Sequence, residues 1–590
     1  MTDRARTTRS HAHRSAARET ASAAELTSLI TADGTTLLER LDHWTVERSD
    51  AVCLYDGETD TEFTYQEFGA ITDRIAGNLA GLGISKGDRI SVFTTNSLFA
   101  ATLMFACWKA GAVYSPINFS YQGRLLSYQL RDTSPQLLFT DAALYERVPE
   151  VWDDIRTETD IRVVVLDDDS DGPVAGVPRV PWSTVTADAQ RPDVAISPED
   201  PANIVYTSGT TGPAKGVLQP HLWINQYTFG LRSYLGADDV VYNDLPMYHV
   251  GGAFANVGRA IWMGCEAAVW NKFSPSEFWE RIDRRGATAA ILLDVMIPWL
   301  MKAPETPEDR ENTLSKVHMQ PLPLHHTAVA RRFGFDCVSA GFGQTESGAP
   351  LKLFMRETQD GSGTPEHLRK GLTGDRLVAA VEQKGLTVVD GETVTVKGAM
   401  GVPGRFVDAT ILDVDDQECP RGVPGELAFR PTMDHIMMTE YIGKPEATEK
   451  AWRGGWFHTG DSAMQEEDGS FRFVDRLGDR IRVKGENLSS FQVEDLLNGH
   501  SEVQMTAVFA VPSTEGDEDD IVAYVVPGEG SSVTVEELRA YAVESMPKFM
   551  RPSHYRVVDD IPRTPTNKIE KYKLRQHFTA AAATPGAPQA

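Results

Sequence analysis

Cysteine is scarce in this chain of 590 residues: Cys53, Cys107, Cys265, Cys337 and Cys419 are scattered and never form a C-x-x-C pair. That pattern excludes a disulfide framework and a cysteine-based zinc site. Long apolar runs are missing as well. No segment approaches the roughly twenty continuous apolar residues of a membrane span, and the first residues lack the apolar core of a secretory signal. Positive charge is in deficit, with 57 lysines and arginines against 84 acidic residues, a net charge of -27. Such a chain repels a nucleic-acid backbone and an anionic membrane, so any polyphosphate must be held by local donors and metal. No short-period repeat is visible. The expectation is a soluble, cytoplasmic protein with neither nucleic acid nor membrane as partner; its oligomeric state is not legible.

What remains is the composition of a globular enzyme, 41% hydrophobic and 24% charged, too long for one hydrophobic core. Residues 1–22, rich in Arg, Thr, Ser, His and Ala, read as a disordered tail, and so does the Ala/Pro/Gly-rich end at 579–590. Between them buried strand patterns (90–94, 204–206, 289–293) alternate with helical ones (98–111, closed by Gly111, and 275–285), the rhythm of a layered α/β domain. The pattern changes at Asp475-Arg476-Leu477-Gly478-Asp479. Beyond it, strands at 506–511 and 521–526 and a helix at 535–546 make a compact α+β unit. The expected division is a large N-terminal domain of α/β subdomains over 23–477 and a small C-terminal domain over 478–578.

The sharpest local signal runs from Ile204 to Val217. A buried strand enters Thr207-Ser208-Gly209-Thr210-Thr211-Gly212-Pro213-Ala214-Lys215, a loop whose backbone N–H groups and hydroxyls suit a polyphosphate, with Lys215 as a mobile cation. It is not a Walker loop, because Lys215 does not directly follow a glycine at the required spacing.

This segment resembles the phosphate-binding signature of the adenylate-forming superfamily, which includes acyl-CoA synthetases, luciferases and peptide-synthetase adenylation domains. Five more segments match in chain order: 109–118, 246–252, Gly341-Phe342-Gly343-Gln344-Thr345-Glu346-Ser347, Thr459-Gly460-Asp461, and 562–568. The resemblance spans roughly residues 40 to 575 and implies ATP, Mg²⁺ and a small-molecule acid as ligands. It implies that Thr345 bonds the adenylate phosphate and that Glu346 holds the metal. Asp461 would take the ribose hydroxyls, Arg476 would reach the ribose from the domain boundary, and Lys568 would bridge the substrate carboxylate and α-phosphate. It also implies that the small domain swings about Gly478, that Lys484 and Gly485 line a pantetheine tunnel for CoA, and that His249 gates or contacts the acyl group. Phe254, Ser339, Ala340 and Phe342 are candidates for the acyl pocket.

Two departures bear on substrate. The Gly-Gly-Ala-Pro stretch common beside adenine is replaced by Val317-His318-Met319-Gln320-Pro321-Leu322-Pro323-Leu324, a loss shared with the crotonobetaine/carnitine-CoA ligase branch. A charged segment from Arg356 to Asp390 is longer than the superfamily pattern and reads as a solvated, partly exposed and removable insertion. Two activities follow: transfer of an activated acid to CoA, or, as in some biosynthetic relatives, a diazotase that activates nitrite with ATP for attack by an aromatic amine.

Overall fold

The computed structural model describes residues 22–157, 160–207, 214–294, 296–358, 363–476, 480–483, 486–512, 519–546, 548–563 and 569–582. Among them the strands form sheets of fourteen, eight, three and two strands. The two large sheets belong to the N-terminal part of the chain, and the two small ones lie beyond residue 479.

The elements follow from the local sequence. The apolar segment after Asn96 is a helix, Ser97–Lys109, whose N-terminal turn is capped by the Asn96 side chain accepting from Phe99 N at 2.9 Å. Gly111, at φ +76°, takes the left-handed turn that follows it. Nearly every side chain of this helix is buried, because it is packed between the large sheets rather than on their outside. The expected strands appear as Arg89–Phe93, Pro201–Thr207 and Ala289–Leu293, and the helix expected from 275 starts later, at Phe278–Arg285.

The fourteen-stranded sheet is mixed. Its parallel centre runs through Val240–Asn243, Ala289–Leu293, Lys316–Gln320 and Cys337–Gln344. The chain then reverses at Thr345-Glu346-Ser347, and Gly348–Arg356 pairs antiparallel with Cys337–Gln344. This reversal puts the Thr345-Glu346 pair at the end of a central strand, where α/β sheets bind ligands. The antiparallel strands Phe457–Gln465 and Phe471–Arg476 extend the same sheet.

The segment 356–390 is not a solvated loop. It contains a helix, Gly374–Gln383, and a short strand, Val388–Asp390, that adds parallel to Gly348–Arg356. Leu377, Val381 and Leu386 join the main hydrophobic core. Leu372 is held by a buried ion pair: its N–H donates to Asp239 Oδ2 at 3.2 Å and its carbonyl accepts from Lys316 Nζ at 2.9 Å. The sequence reading missed this because the helix's outer face is charged and only two of its ten residues are buried.

Beyond residue 479 the strands Val503–Pro512, Asp519–Pro527 and His554–Val557 form the three-stranded sheet, with helices Ser490–Asn498, Val535–Ser545 and Lys571–Ala582. These elements have core clusters of their own. The last helix continues to Ala582, past the expected boundary at 578. Residues 1–21 and 583–590 of the expected tails, and Gly478 of the expected hinge, lie outside the described residues. No described helix is long and apolar enough to cross a membrane.

Candidate active site

A hairpin of Pro201–Thr207 and Lys215–Pro220 sets Thr207 directly across from Lys215; both line a cavity of about 680 Å³. Ser208, Gly209, Thr210, Thr211 and Gly212, between them, lie outside the described residues. The short strand Glu440–Tyr441 adds to the edge of this hairpin, with Tyr441 opposite Val217. That pairing puts the Tyr441 ring under the Lys215 ammonium, 4.3 Å from the ring centroid, a cation–π distance. The Tyr441 hydroxyl donates to Glu346 Oε1 at 2.8 Å. Burial, followed by the charge of Glu346, pushes the phenol's pKa up, so it stays protonated and remains a donor.

The turn carrying Thr345 and Glu346 is fixed from both sides. The Thr345 carbonyl accepts from Gln219 Nε2 at 2.7 Å, and the Glu346 carbonyl from Met438 N at 2.8 Å. Gly348 closes the turn at φ +71°, where a Cβ would fall 2.0 Å from Gln226 Oε1. That oxygen accepts from Ala349 N at 3.1 Å. Glycine is therefore required there by both conformation and space.

Gln344, one residue earlier, reaches the opposite wall and donates to the Thr459 carbonyl at 2.9 Å and to Asp461 Oδ2 at 2.8 Å. Asp461 is buried and stands across from Arg476 in the antiparallel register. The Arg476 side chain lies outside the described residues, as do Lys484, Gly485 and Lys568. Behind Asp461, Glu426 ties the strand ends together: it accepts from Gly460 N at 3.0 Å, lies 2.9 Å from His458 Nδ1 and pairs with Arg453 at 3.0 Å.

His249 stands at the start of an eight-residue π-helical segment, Gly251–Gly258, and its Nδ1 accepts from Gly251 N at 3.1 Å. Such windings occur mostly at functional sites. Val250, Gly251 and Ala255 of this region line the cavity with His249. Gly341, Phe342, Gly343, Ser339 and Ala340 line it too. Phe254 does not: it is fully buried, stacked near Trp108 and edge-on to Trp223. Phe254 is thus a core residue of the π-helical segment, not a pocket residue.

Tyr227, Lys352 and Tyr441 also line the cavity and stand outside every motif, while His318 and Gln320 line it from the stretch that replaces Gly-Gly-Ala-Pro. A lysine inside the apolar run Leu351-Lys352-Leu353-Phe354, just after a motif, is the one signal that could have been used. Burial lowers the Lys352 pKa to about 7, helped by the charge of Arg232, and burial lowers that of His318 to about 4.

The donor set suits a nucleotide and its metal. Among the described residues no group of three metal-ligating side chains exists; Mg²⁺ is commonly held by one or two carboxylates and the substrate's own phosphates. Glu346, at the cavity wall beside Thr345, is the carboxylate placed to serve.

The family model for AMP-binding enzymes matches residues 41–441, and that for the AMP-binding enzyme C-terminal domain matches residues 492–568. The crotonobetaine/carnitine–CoA ligase of Citrobacter koseri is 28% identical over 527 residues, 87% of this chain and 93% of that protein. Among solved structures, ATP-bound MatB from Rhodopseudomonas palustris superposes with a TM-score of 0.74 at 23% identity, over 92% of this chain and 99% of that one. The anthranilate CoA ligase AuaEII in complex with anthranoyl-AMP superposes with a TM-score of 0.76 at 18% identity, over 93% and 98%.

Proposed function

The chain belongs to the AMP-binding enzyme family, and from that premise we propose that it activates a small carboxylic acid as its acyl-adenylate and transfers the acyl group to CoA. In the first half-reaction a carboxylate oxygen attacks the α-phosphorus of ATP and pyrophosphate leaves. In the second the thiol sulfur of CoA attacks the acyl carbon and AMP leaves.

Each residue has a task in this reading. Thr207, Lys215 and the loop between them hold the polyphosphate, with Tyr441 keeping the Lys215 cation over its ring. Thr345 donates to the α-phosphate. Glu346, oriented by the Tyr441 hydroxyl, holds Mg²⁺, which neutralises charge on the reacting phosphates when bound. Asp461, pinned by Gln344, takes the ribose hydroxyls, with Arg476 opposite it. Gly341, Phe342 and Gly343 form the strand along which adenylate and acyl group lie, and His249 borders the acyl group. Lys568 arrives from the small domain to offset repulsion between carboxylate and phosphate, while Lys484 and Gly485 border the thiol's path after the domain has turned.

The observation that supports this reading best is the convergence on one cavity of Lys215, Tyr441 and Glu346 on one wall and Gln344 and Asp461 on the other. The test is ATP–pyrophosphate exchange across a panel of acids, followed by mass spectrometry of products with CoA. Acid-dependent, Mg²⁺-dependent exchange and formation of AMP with a thioester are expected. Release of ADP, or exchange indifferent to acid, would overturn the reading. An arm with ATP, nitrite and an arylamine identifies the diazotase alternative by its diazonium product.

A further inference from the structure

Lys352 lines the cavity from outside every motif. The side chain of Lys352 makes no hydrogen bond and no ion pair among the described residues. It projects toward the helix His221–Arg232, where Gly230 leaves it room: a Cβ there would sit 2.7 Å from Lys352 Cδ and 3.0 Å from Nζ. Left without a counter-ion the amine titrates down to about 7, and an anion seated beside it would restore the ammonium.

Among the described residues the cavity floor offers Lys352 no carboxylate. In sheet register, Lys352 lies opposite Gly341, Phe354 opposite Ser339, and Ser339 beside His318, so these residues share one face of the sheet. That face is the floor of the cavity. The carboxylates that line the cavity, Glu346, Glu426 and Asp461, belong to the nucleotide end, where Thr345 and Gln344 are. The charges acting on Lys352 and His318 include Arg232 and Arg259, both buried and neither ion-paired among the described residues.

A polar relay reinforces the positive potential. Arg259 Nη1 donates to the Tyr234 hydroxyl at 2.9 Å, which lies 3.4 Å from Ser339 Oγ; that oxygen is 3.0 Å from His318 Nδ1, and His318 Nε2 is 3.0 Å from Gln320 Oε1. Since an amide oxygen only accepts, neutral His318 carries its proton on Nε2. Its Nδ1 then accepts from Ser339, and Ser339 accepts from Tyr234. Every donor in the chain points away from Arg259.

We propose that the acid activated in this cavity carries a second carboxylate, seated on the Lys352 ammonium at the cavity floor, so that the preferred substrates are dicarboxylic acids. The inference rests on the acid-activating reading of the same cavity. The spacing fits. Along the helix His221–Arg232, Gln226 contacts the Gly348 turn, Tyr227 the Gly343 level and Gly230 the Lys352 level, so Lys352 lies steadily farther from the reacting end. Four residues of strand, about 13 Å, separate Gly341 from Thr345. That leaves room for a ring or a short chain between the two carboxylates.

The test is ATP–pyrophosphate exchange by the full-length enzyme with matched pairs: benzoate against 3- and 4-carboxybenzoate, hexanoate against hexanedioate. Wild-type enzyme should favour the diacid of a pair in kcat/KM by about ten- to a hundredfold, the factor typical of a hydrogen bond to a charged group. Lys352→Met, of similar shape and without the charge, should lose that preference while melting no lower than wild type. Wild-type preference for the monoacids, or an unchanged preference in a folded Lys352→Met enzyme, would overturn the inference and leave acid activation standing. Absence of exchange with every acid would overturn both.

Discussion

Tyr441 gives Glu346 a direction. A carboxylate at a turn could adopt several rotamers, and the phenol at 2.8 Å selects one while its ring engages Lys215. Tyr441→Phe keeps the ring and removes only the donor. It should therefore raise the Mg²⁺ concentration needed for half-maximal exchange and lower kcat by about tenfold, with little change in Tm, a hydrogen bond to a charged group being worth about 1.5–3 kcal/mol. Glu346→Gln should have the larger effect on the same titration. A Tyr441→Phe enzyme with the wild-type Mg²⁺ dependence would show that the contact does not orient the metal carboxylate. At this scale the motif residues were legible because the chemistry of phosphate demands glycine, hydroxyl and carboxylate in a short span. Tyr441 and Lys352 were not, since an isolated tyrosine or lysine acquires meaning only from what faces it.

The segment 356–390 is the element whose role changed most between sequence and structure. Its helix contributes Leu377 and Val381 to the core, and its entry at Leu372 satisfies both members of the Asp239–Lys316 pair, which are 2.7 Å apart with fully buried side chains. A buried pair left short of hydrogen bonds is strongly destabilising. Replacing residues 359–387 with a short Gly/Ser linker should therefore lower Tm by several degrees or more and reduce activity in proportion to the folded fraction. Leu377→Ala alone should cost about 2–5 kcal/mol. A truncated protein with wild-type Tm and normal exchange would return the segment to the status of a surface loop. The sequence offered charge density and turn residues, both true of its outer face, and these masked the buried apolar positions Leu377, Val381 and Leu386.

Among the described residues the large and small parts meet through ion pairs and ring contacts, Arg563 over the Trp299 ring at 5.6 Å among them. Lys397 pairs with Asp495 and lies over the Phe491 ring, Phe473 meets Phe491 edge to face, and Lys302 pairs with Glu529 on the surface. Exposed ion pairs contribute about 0–1 kcal/mol each, so a reorientation of the small part is energetically accessible. The two half-reactions should then be separable by mutation. Lys568→Ala should abolish adenylate formation, yet convert a supplied acyl-adenylate to thioester. Gly478→Pro, which restricts φ at the expected hinge, should form adenylate and stall before thioester. Loss of the same half-reaction to the same degree in both variants would remove the hinge assignment.

The sequence by itself determined the family, the α/β class with a smaller C-terminal part, and the motif segments from which the proposed phosphate site is drawn, because those features depend on short-range patterns: hydrophobic period, glycine at strained turns, hydroxyls and carboxylates in a fixed order. Tertiary structure alone decided the rest. It placed Phe254 in the core, folded the charged insertion onto a buried ion pair, set Tyr441 between Lys215 and Glu346, and left Lys352 on the cavity floor with no partner among the described residues. Each of these is a relation between residues distant in the chain, set by sheet register and packing. Such relations leave no periodic trace in the sequence from which they arise.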